Sequence, residues 1–175
     1  IIFLWQYNLV PFQINTQINI AQELAKEKKW QESFKILEEQ SKIKTFFLLY
    51  ANSVYLKLLV DRIAAHPDET NTLSKKIAEI AKNNTGLQPY NSENWLRLGE
   101  SLTILAQEKN DPEIAKKAET AAQEALKLSP KDPVIFLASF MADVAVKDFR
   151  GAEDKSAYCL KTFPEIKECP WLSGL

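Results

Sequence analysis

The stretch from residue 91 to residue 130 constrains the fold of this chain more than any other. Four residues of its first half share one face at helical spacing: Trp95, Leu98, Gly99 and Leu102. Its second half carries a stripe of small residues with the same periodicity: Ala115, Ala118, Ala122 and Ala125. Because small side chains let two helices approach closely, the segment predicts an antiparallel helical pair that crosses at Gly99.

Length and composition predict an all-helical fold for the rest of the chain. Of 175 residues 46% are hydrophobic, enough for an ordinary core, and four glycines are few for a turn-rich sheet protein. The 22 basic and 23 acidic residues are mixed along the chain and leave a net charge of -1. Such a balance provides no basic surface, so we do not expect nucleic-acid binding.

The helical pattern returns after Pro130 with more regular spacing. Asp132 precedes Pro133 as Asp111 precedes Pro112, and this predicts two helix starts, because aspartate accepts the free N–H groups and proline lacks one. Four further positions follow the spacing of a second unit over residues 133–166: Phe136, Ala152, Cys159 and Pro164.

Both units resemble the tetratricopeptide repeat, whose pattern is W-x2-L-G-x2-Y, then A-x3-F, then a closing proline. The matching residues of the first unit are Trp95, Leu98, Gly99, Leu102, Ala118, Ala122, Ala125 and Pro130, with Leu102 and Ala122 in place of the usual aromatic residues. Its helices are longer than usual by about two turns in total. The resemblance implies helix–turn–helix repeats stacked as a right-handed superhelix over residues 13–168.

The remaining segments also predict helices. Residues 14–43 are predicted to form a degenerate helix–turn–helix unit. Residues 45–65 are predicted to form a long helix that is apolar on most sides and is therefore either central or partly covered by the N-terminal residues 1–12. A membrane span there is disfavoured by four polar or charged residues: Asn52, Ser53, Lys57 and Asp61. The next helix is expected to stop at Gly86. Residues 169–175 resemble the opening of a truncated further repeat.

Residues 1–12 are the most apolar run, and two interpretations of them stay open. They are too few to span a bilayer, which takes about 20 residues, but Trp5 and Tyr7 before Pro11 suit the interfacial end of a truncated span. The absence of Lys or Arg before Lys26 would then place the domain outside the cytoplasm. The alternative is an apolar arm packed on the domain. The run lacks the features of a signal peptide, and the missing initial Met suggests a fragment or a processed product.

Few residues are candidates for chemistry. His66, the only histidine, precedes Pro67 at a predicted helix end without a nucleophile or carboxylate pair at motif spacing, so we expect a helix cap. Cys159 and Cys169 lack CxxC spacing, and buried free thiols are the default expectation. A disulfide between them is the alternative in an extracytoplasmic domain. We predict no catalytic residue, metal site or cofactor, and no enzymatic activity within these residues.

A stack of helical repeats presents a concave groove lined by the first helix of each pair. Six residues are the candidates for that face: Glu93, Leu96, Arg97, Glu100, Leu137 and Met141. The Lys and Asn set with which tetratricopeptide domains clamp a chaperone's C-terminal carboxylate is absent from these positions. The expected ligand is a protein or peptide, and the alternative is that these are ordinary solvated or inter-repeat positions.

The order of features also resembles bacterial O-antigen ligase and polymerase-like membrane proteins, which often carry a tetratricopeptide region after their last span. The similar features are the apolar end with Pro11, KKWQESFKILEE, GLQPYNSENWLRLG, NDPEIAKKAETAAQEALKLSP and a closing repeat that opens near Trp171. The resemblance implies a membrane-attached, extracytoplasmic scaffolding domain in surface-glycan assembly, with the transferase chemistry outside this chain. The alternative is an independent, soluble cytoplasmic adaptor that binds a peptide in its groove.

Overall fold

The structure is a computed structural model that describes residues 9–45 and 47–162. These residues form eight α-helices and a short 3-10 helix, Pro67–Glu69, and contain no strand, which confirms the all-α class. The α-helices are α1 (Val10–Lys26), α2 (Trp30–Gln40), α3 (Leu48–Ala65), α4 (Thr70–Leu87), α5 (Ser92–Lys109), α6 (Pro112–Leu128), α7 (Pro133–Ala145) and α8 (Phe149–Thr162). The chain divides into two compact units, Ile1–Thr70 and Asn71–Leu175.

In the first unit, α1, α2 and α3 pack against one another. The apolar stripe predicted on α1 is buried: Ile14, Ile18, Ala21 and Ala25. Buried Ser33 of α2 donates a hydrogen bond of 2.8 Å from its Oγ to the backbone carbonyl oxygen of Ala21. A small residue at position 33 therefore lets α2 approach the backbone of α1, and its hydroxyl is satisfied there.

The start of the first unit differs from the expected boundary at residue 12. Helix α1 begins at Val10 and contains Pro11 in its first turn. Proline suits that turn because its fixed φ is helical and its missing N–H has no intrahelical partner to lose. Pro11 thus lies in the first turn of a helix instead of ending a segment. Residues 1–8, on which the interpretation as the end of a span depends, lie outside the described residues.

The second unit is built around α5 and α6. A cluster of Ala81 from α4, Leu98 from α5 and Ala121 from α6 is buried, and Trp95 and Leu102 pack against it. The Trp95 indole Nε1 donates to the carbonyl oxygen of Pro89 at 2.8 Å and so fastens α5 to the turn before it. Trp95 therefore uses both parts of its side chain: the ring packs against the core, and the indole N–H donates to a backbone carbonyl.

The helices cross closely at Gly99. A Cβ atom on Gly99 would lie 3.2 Å from the backbone nitrogen of Ala122 and 3.5 Å from the carbonyl oxygen of Ala118. No larger residue could keep this spacing, because the obstacle is the backbone of the neighbouring helix. Gly99 and the alanine stripe are thus two sides of one contact.

Helix α7 packs on both α5 and α6, and α8 packs on α7. Leu96 of α5, Ala125 of α6 and Ile135 of α7 form one buried cluster, and Ala138 packs against it. On the other side of α7, the rings of Phe136 and Tyr158 stack with their centroids 5.4 Å apart. Each added helix therefore covers apolar surface of the previous pair.

Two helix starts are as predicted, and one helix end is not. Asp111 accepts from the backbone N–H of Glu113 at 2.9 Å, and Asp132 accepts from that of Val134 at the same distance. Helix α4, however, continues through Gly86 to Leu87, and no glycine among the described residues has a positive φ. Gly86 is therefore an ordinary helical residue and not the expected stop.

Candidate protein-interaction face

Helices α5 and α7 lie side by side in the second unit, and the six predicted groove residues are distributed along them. Glu93 is exposed, Arg97 and Glu100 are half-buried, Leu137 is half-buried, and Met141 is 43% exposed. The prediction that Leu96 lines the groove is wrong, because Leu96 is only 3% exposed and lies in the cluster with Ala125 and Ile135. Leu96 packs on Ala125 of α6 and Ile135 of α7, so it is unavailable to a ligand.

The charged part of this face is a three-residue cluster on α5. Arg97 Nη2 lies 2.7 Å from Glu93 Oε1, and Arg97 Nη1 lies 3.0 Å from Glu100 Oε2. Their spacing of four and three residues places all three side chains on one side of the helix. Burial raises the pKa of the Glu100 carboxyl, although Arg97 acts in the opposite direction. One guanidinium is thus shared by two carboxylates, one of which is poorly hydrated.

The apolar part is a stripe on α7. Val134, Leu137 and Met141 follow the i, i+3, i+7 spacing of one helix face, and Val134 is 54% exposed. Val134 is not among the six predicted groove residues, although the 41-residue offset that relates Trp95 to Phe136 also relates Glu93 to Val134. The same surface position is therefore acidic on α5 and apolar on α7.

A buried ion pair joins α7 to α8 and was not anticipated. Lys155 Nζ lies 2.6 Å from Asp143 Oδ2, and the Asp143 side chain is 4% exposed. Burial raises the pKa of the Asp143 carboxyl against the effect of Lys155, and Asp148 raises it further. The hint in the sequence was a single charged residue inside the apolar run VIFLASFMADVA. Because Asp143 and Lys155 form an enclosed ion pair with each other, the pair links α7 to α8 and is not an open reactive site.

The other predicted packing positions are mostly interior. Six are buried in the structure: Ala118, Ala122, Ala125, Phe136, Ala152 and Cys159. Pro130 lies in the turn between α6 and α7. Pro164 lies outside the described residues, as does the segment 169–175 with its suggested further repeat.

Cys159 corrects the expectation of free thiols. It is fully buried and disulfide-bonded. The chain has one other cysteine, Cys169, which lies beyond the residues that the structure describes. Of the two alternatives raised by the sequence, the structure therefore has the bonded form at Cys159.

In the first unit, Arg62 of α3 makes a cation–π contact and an ion pair with residues of the neighbouring elements. The Arg62 guanidinium carbon lies 5.6 Å from the ring centroid of Trp30 on α2, and Arg62 Nε donates to Glu69 Oε2 at 2.9 Å. The hydrogen bond from Arg62 lowers the pKa of Glu69. His66, which lies between Arg62 and Glu69 in the chain, is the C-cap of α3, as predicted, and its backbone N–H donates to the Arg62 carbonyl oxygen at 2.8 Å.

A cleft of about 790 Å³ lies between the α5–α6 turn and the α7–α8 turn, lined by Asp111, Lys116, Glu119 and Lys147 among others. Within residues 9–45 and 47–162 no three His, Cys, Asp or Glu side chains are grouped so as to hold a metal ion. In the same residues no helix combines the length and the apolar character that crossing a membrane requires.

No protein-family model matches this chain, and a search of curated proteins finds no match either. The function has to be inferred from the geometry of the two units.

Proposed function

We propose that this chain is a tetratricopeptide-like interaction domain and that the face formed by α5 and α7 binds a protein partner. The observation that carries the proposal is the order of helix contacts in the second unit. Each helix packs on the next, α5 on α6, α6 on α7 and α7 on α8, and α5 also packs on α7. Stacked antiparallel helix pairs have this order of contacts, and such stacks use the first helices of the pairs as a binding surface.

The composition of the face supports the same proposal. The stripe of Val134, Leu137 and Met141 is apolar and accessible, while the charged cluster of Glu93, Arg97 and Glu100 lies on the adjacent helix. Apolar surface bordered by polar groups is typical of protein-binding sites. The proposal assigns no catalytic, metal or cofactor site to these residues.

A photo-crosslinking experiment tests the binding face. A photoreactive phenylalanine analogue placed at Met141 should crosslink the native protein to one discrete partner in its source cells. The control position is Thr120, which is exposed on α6, away from the proposed face. Equal labelling of the same partner from both positions, or labelling from neither, would contradict the assignment of the face.

For the cellular context, we propose the extracytoplasmic part of an O-antigen ligase or polymerase-like membrane protein. The support beyond the sequence resemblance is the disulfide bond of Cys159, since disulfides persist in oxidising compartments and are rare in the cytosol. The competing proposal, an independent cytoplasmic adaptor, requires reduced cysteines.

Thiol trapping separates the two contexts. Cells are lysed under denaturing conditions with an alkylating mass tag present from the start, and the number of tags on the protein is compared with and without prior reduction. The extracytoplasmic proposal expects tags only after reduction. Tagging of both cysteines without reduction would favour the cytoplasmic adaptor.

A further inference from the structure

We infer that the partner segment of the α5/α7 face is amphipathic and basic, with apolar side chains for the stripe on α7 and a Lys or Arg for the carboxylates on α5. The inference rests on the proposed function and names the chemistry of its ligand. It follows from three properties of the face: its continuity, the absence of exposed charge on α7, and the unequal charges on α5.

The apolar and charged parts belong to one continuous surface. Leu96 of α5 packs in a cluster with Ile135 of α7, and Ala138 of α7 packs against the same cluster. Arg97 follows Leu96 in the chain, and Ala138 lies between Leu137 and Met141 on the accessible side of α7. Because α5 and α7 pack side by side through this cluster, one partner segment that crosses both helices can contact both parts.

The side chains that α7 contributes to this surface are apolar. Val134 is 54% exposed and Met141 is 43% exposed, with half-buried Leu137 between them. The single ionisable residue of α7, Asp143, is 3% exposed and paired with Lys155. A helical partner would match this stripe with apolar residues at i, i+3 or i+4, and i+7.

The α5 side of the surface favours a cation. Glu93 and Glu100 together carry two carboxylates, and Arg97 between them supplies one positive charge. The Glu100 side chain is 35% exposed, and burial raises its pKa although Arg97 acts in the opposite direction. A Lys or Arg of the partner would supply the second cation, whereas an acidic residue would meet two like charges.

Two synthetic peptides test the inference. Each has about 14 residues, which is roughly four helical turns. Both carry the same amphipathic leucine pattern and a fluorescein label. One has lysine and the other glutamate at every remaining position. Fluorescence anisotropy titrations of the native protein should show saturable binding of the leucine–lysine peptide, weakened at about 0.3 M salt relative to about 0.05 M because the ion pairs are screened. The leucine–glutamate peptide should not bind.

Variants then locate the site and the charge. Met141→Glu should abolish binding, and the double variant Glu93→Gln with Glu100→Gln should weaken it about tenfold or more. Arg97→Gln should strengthen it, because it removes the competing cation, while an unchanged urea unfolding midpoint shows that the variant is folded. The matched control is Glu153→Gln, which removes an exposed acid from α8 and should change affinity by less than about twofold.

The inference is overturned if both peptides bind equally, if the leucine–lysine peptide does not bind, or if Glu153→Gln weakens binding as much as the double variant. Crosslinking from Met141 distinguishes this failure from failure of the proposed function. A partner captured at Met141 together with no preference for the lysine peptide would leave the binding face in place and reject only the basic, amphipathic ligand.

Discussion

Gly99 shows how one residue sets the distance between two helices. Its backbone approaches that of Ala122 so closely that an added Cβ would lie 3.2 Å from a main-chain nitrogen. Glycine costs a helix roughly 0.5–1 kcal/mol relative to alanine, so its presence within α5 has to be offset by this contact.

Gly99→Val should lower the free energy of unfolding by about 1–3 kcal/mol, because the added atoms push α6 away. Urea denaturation measures the change. The matched control is Gly86→Ala, where an added Cβ has no atom within 4 Å and the backbone is already helical, so a gain of roughly 0.5–1 kcal/mol is expected. An unchanged stability of Gly99→Val would mean that the helices do not cross at this residue.

Leu98 lies at the centre of the cluster that α4, α5 and α6 share, and it is 8% exposed. Leu98→Ala should cost about 2–5 kcal/mol through lost burial and the cavity that remains. Leu128→Ala serves as the control, because Leu128 is 37% exposed at the end of α6 and its truncation removes little buried surface. Chemical denaturation of both variants should separate them, and a loss below about 1 kcal/mol for Leu98→Ala would contradict its placement in the core.

At the scale of the element, the pairing of α7 with α8 depends on more than apolar contacts. The Asp143 carboxylate is almost fully enclosed and has Lys155 as its cation. Gly151 lies against the same group, since a Cβ there would be 3.0 Å from Asp143 Oδ2. A buried carboxylate without its cation is costly, whereas replacing both charges with apolar groups often is not.

Lys155→Met should therefore destabilise the protein by about 3 kcal/mol, because it leaves Asp143 charged and enclosed. Adding Asp143→Leu to this variant should recover most of the loss. Thermal or urea unfolding of the two single variants and the double variant provides the comparison. If the double variant were less stable than Lys155→Met, the ion pair would not be the interaction that holds α8.

At the scale of the whole molecule, each unit contains a carboxyl group with a shifted pKa. The two groups, Glu69 and Asp143, affect stability with opposite pH dependences. The pKa of Glu69 in the first unit is lowered, chiefly by its hydrogen bond from Arg62. Its contribution is present above the unfolded pKa and is lost as the pH falls through the folded pKa. The pKa of Asp143 in the second unit is raised, chiefly by burial. Its contribution is present below the unfolded pKa and is lost as the pH rises through the folded pKa.

Unfolding measured from about pH 3 to pH 7, a range around the unperturbed carboxyl pKa values, should therefore separate two variants. Relative to the native protein, Glu69→Gln should lose stability at neutral pH and show a smaller further loss in acid. The difference between the native protein and Asp143→Asn should shift in favour of the native protein as the pH falls. Parallel pH profiles for the native protein and either variant would contradict the corresponding assignment.

The sequence alone determined the helical class, the two aspartate caps and the crossing at Gly99, because these depend on periodicity and on neighbours within a few residues. Only the tertiary structure decided that Leu96 is covered by α7, that Asp143 pairs with Lys155 and that α4 passes through Gly86. Those outcomes depend on which helix packs beside which, and on how a buried charge is compensated. The candidate face was partly predictable for the same reason: spacing places Arg97 and Met141 on one side of their helices, but only the packing of α7 on α5 brings the two helices side by side.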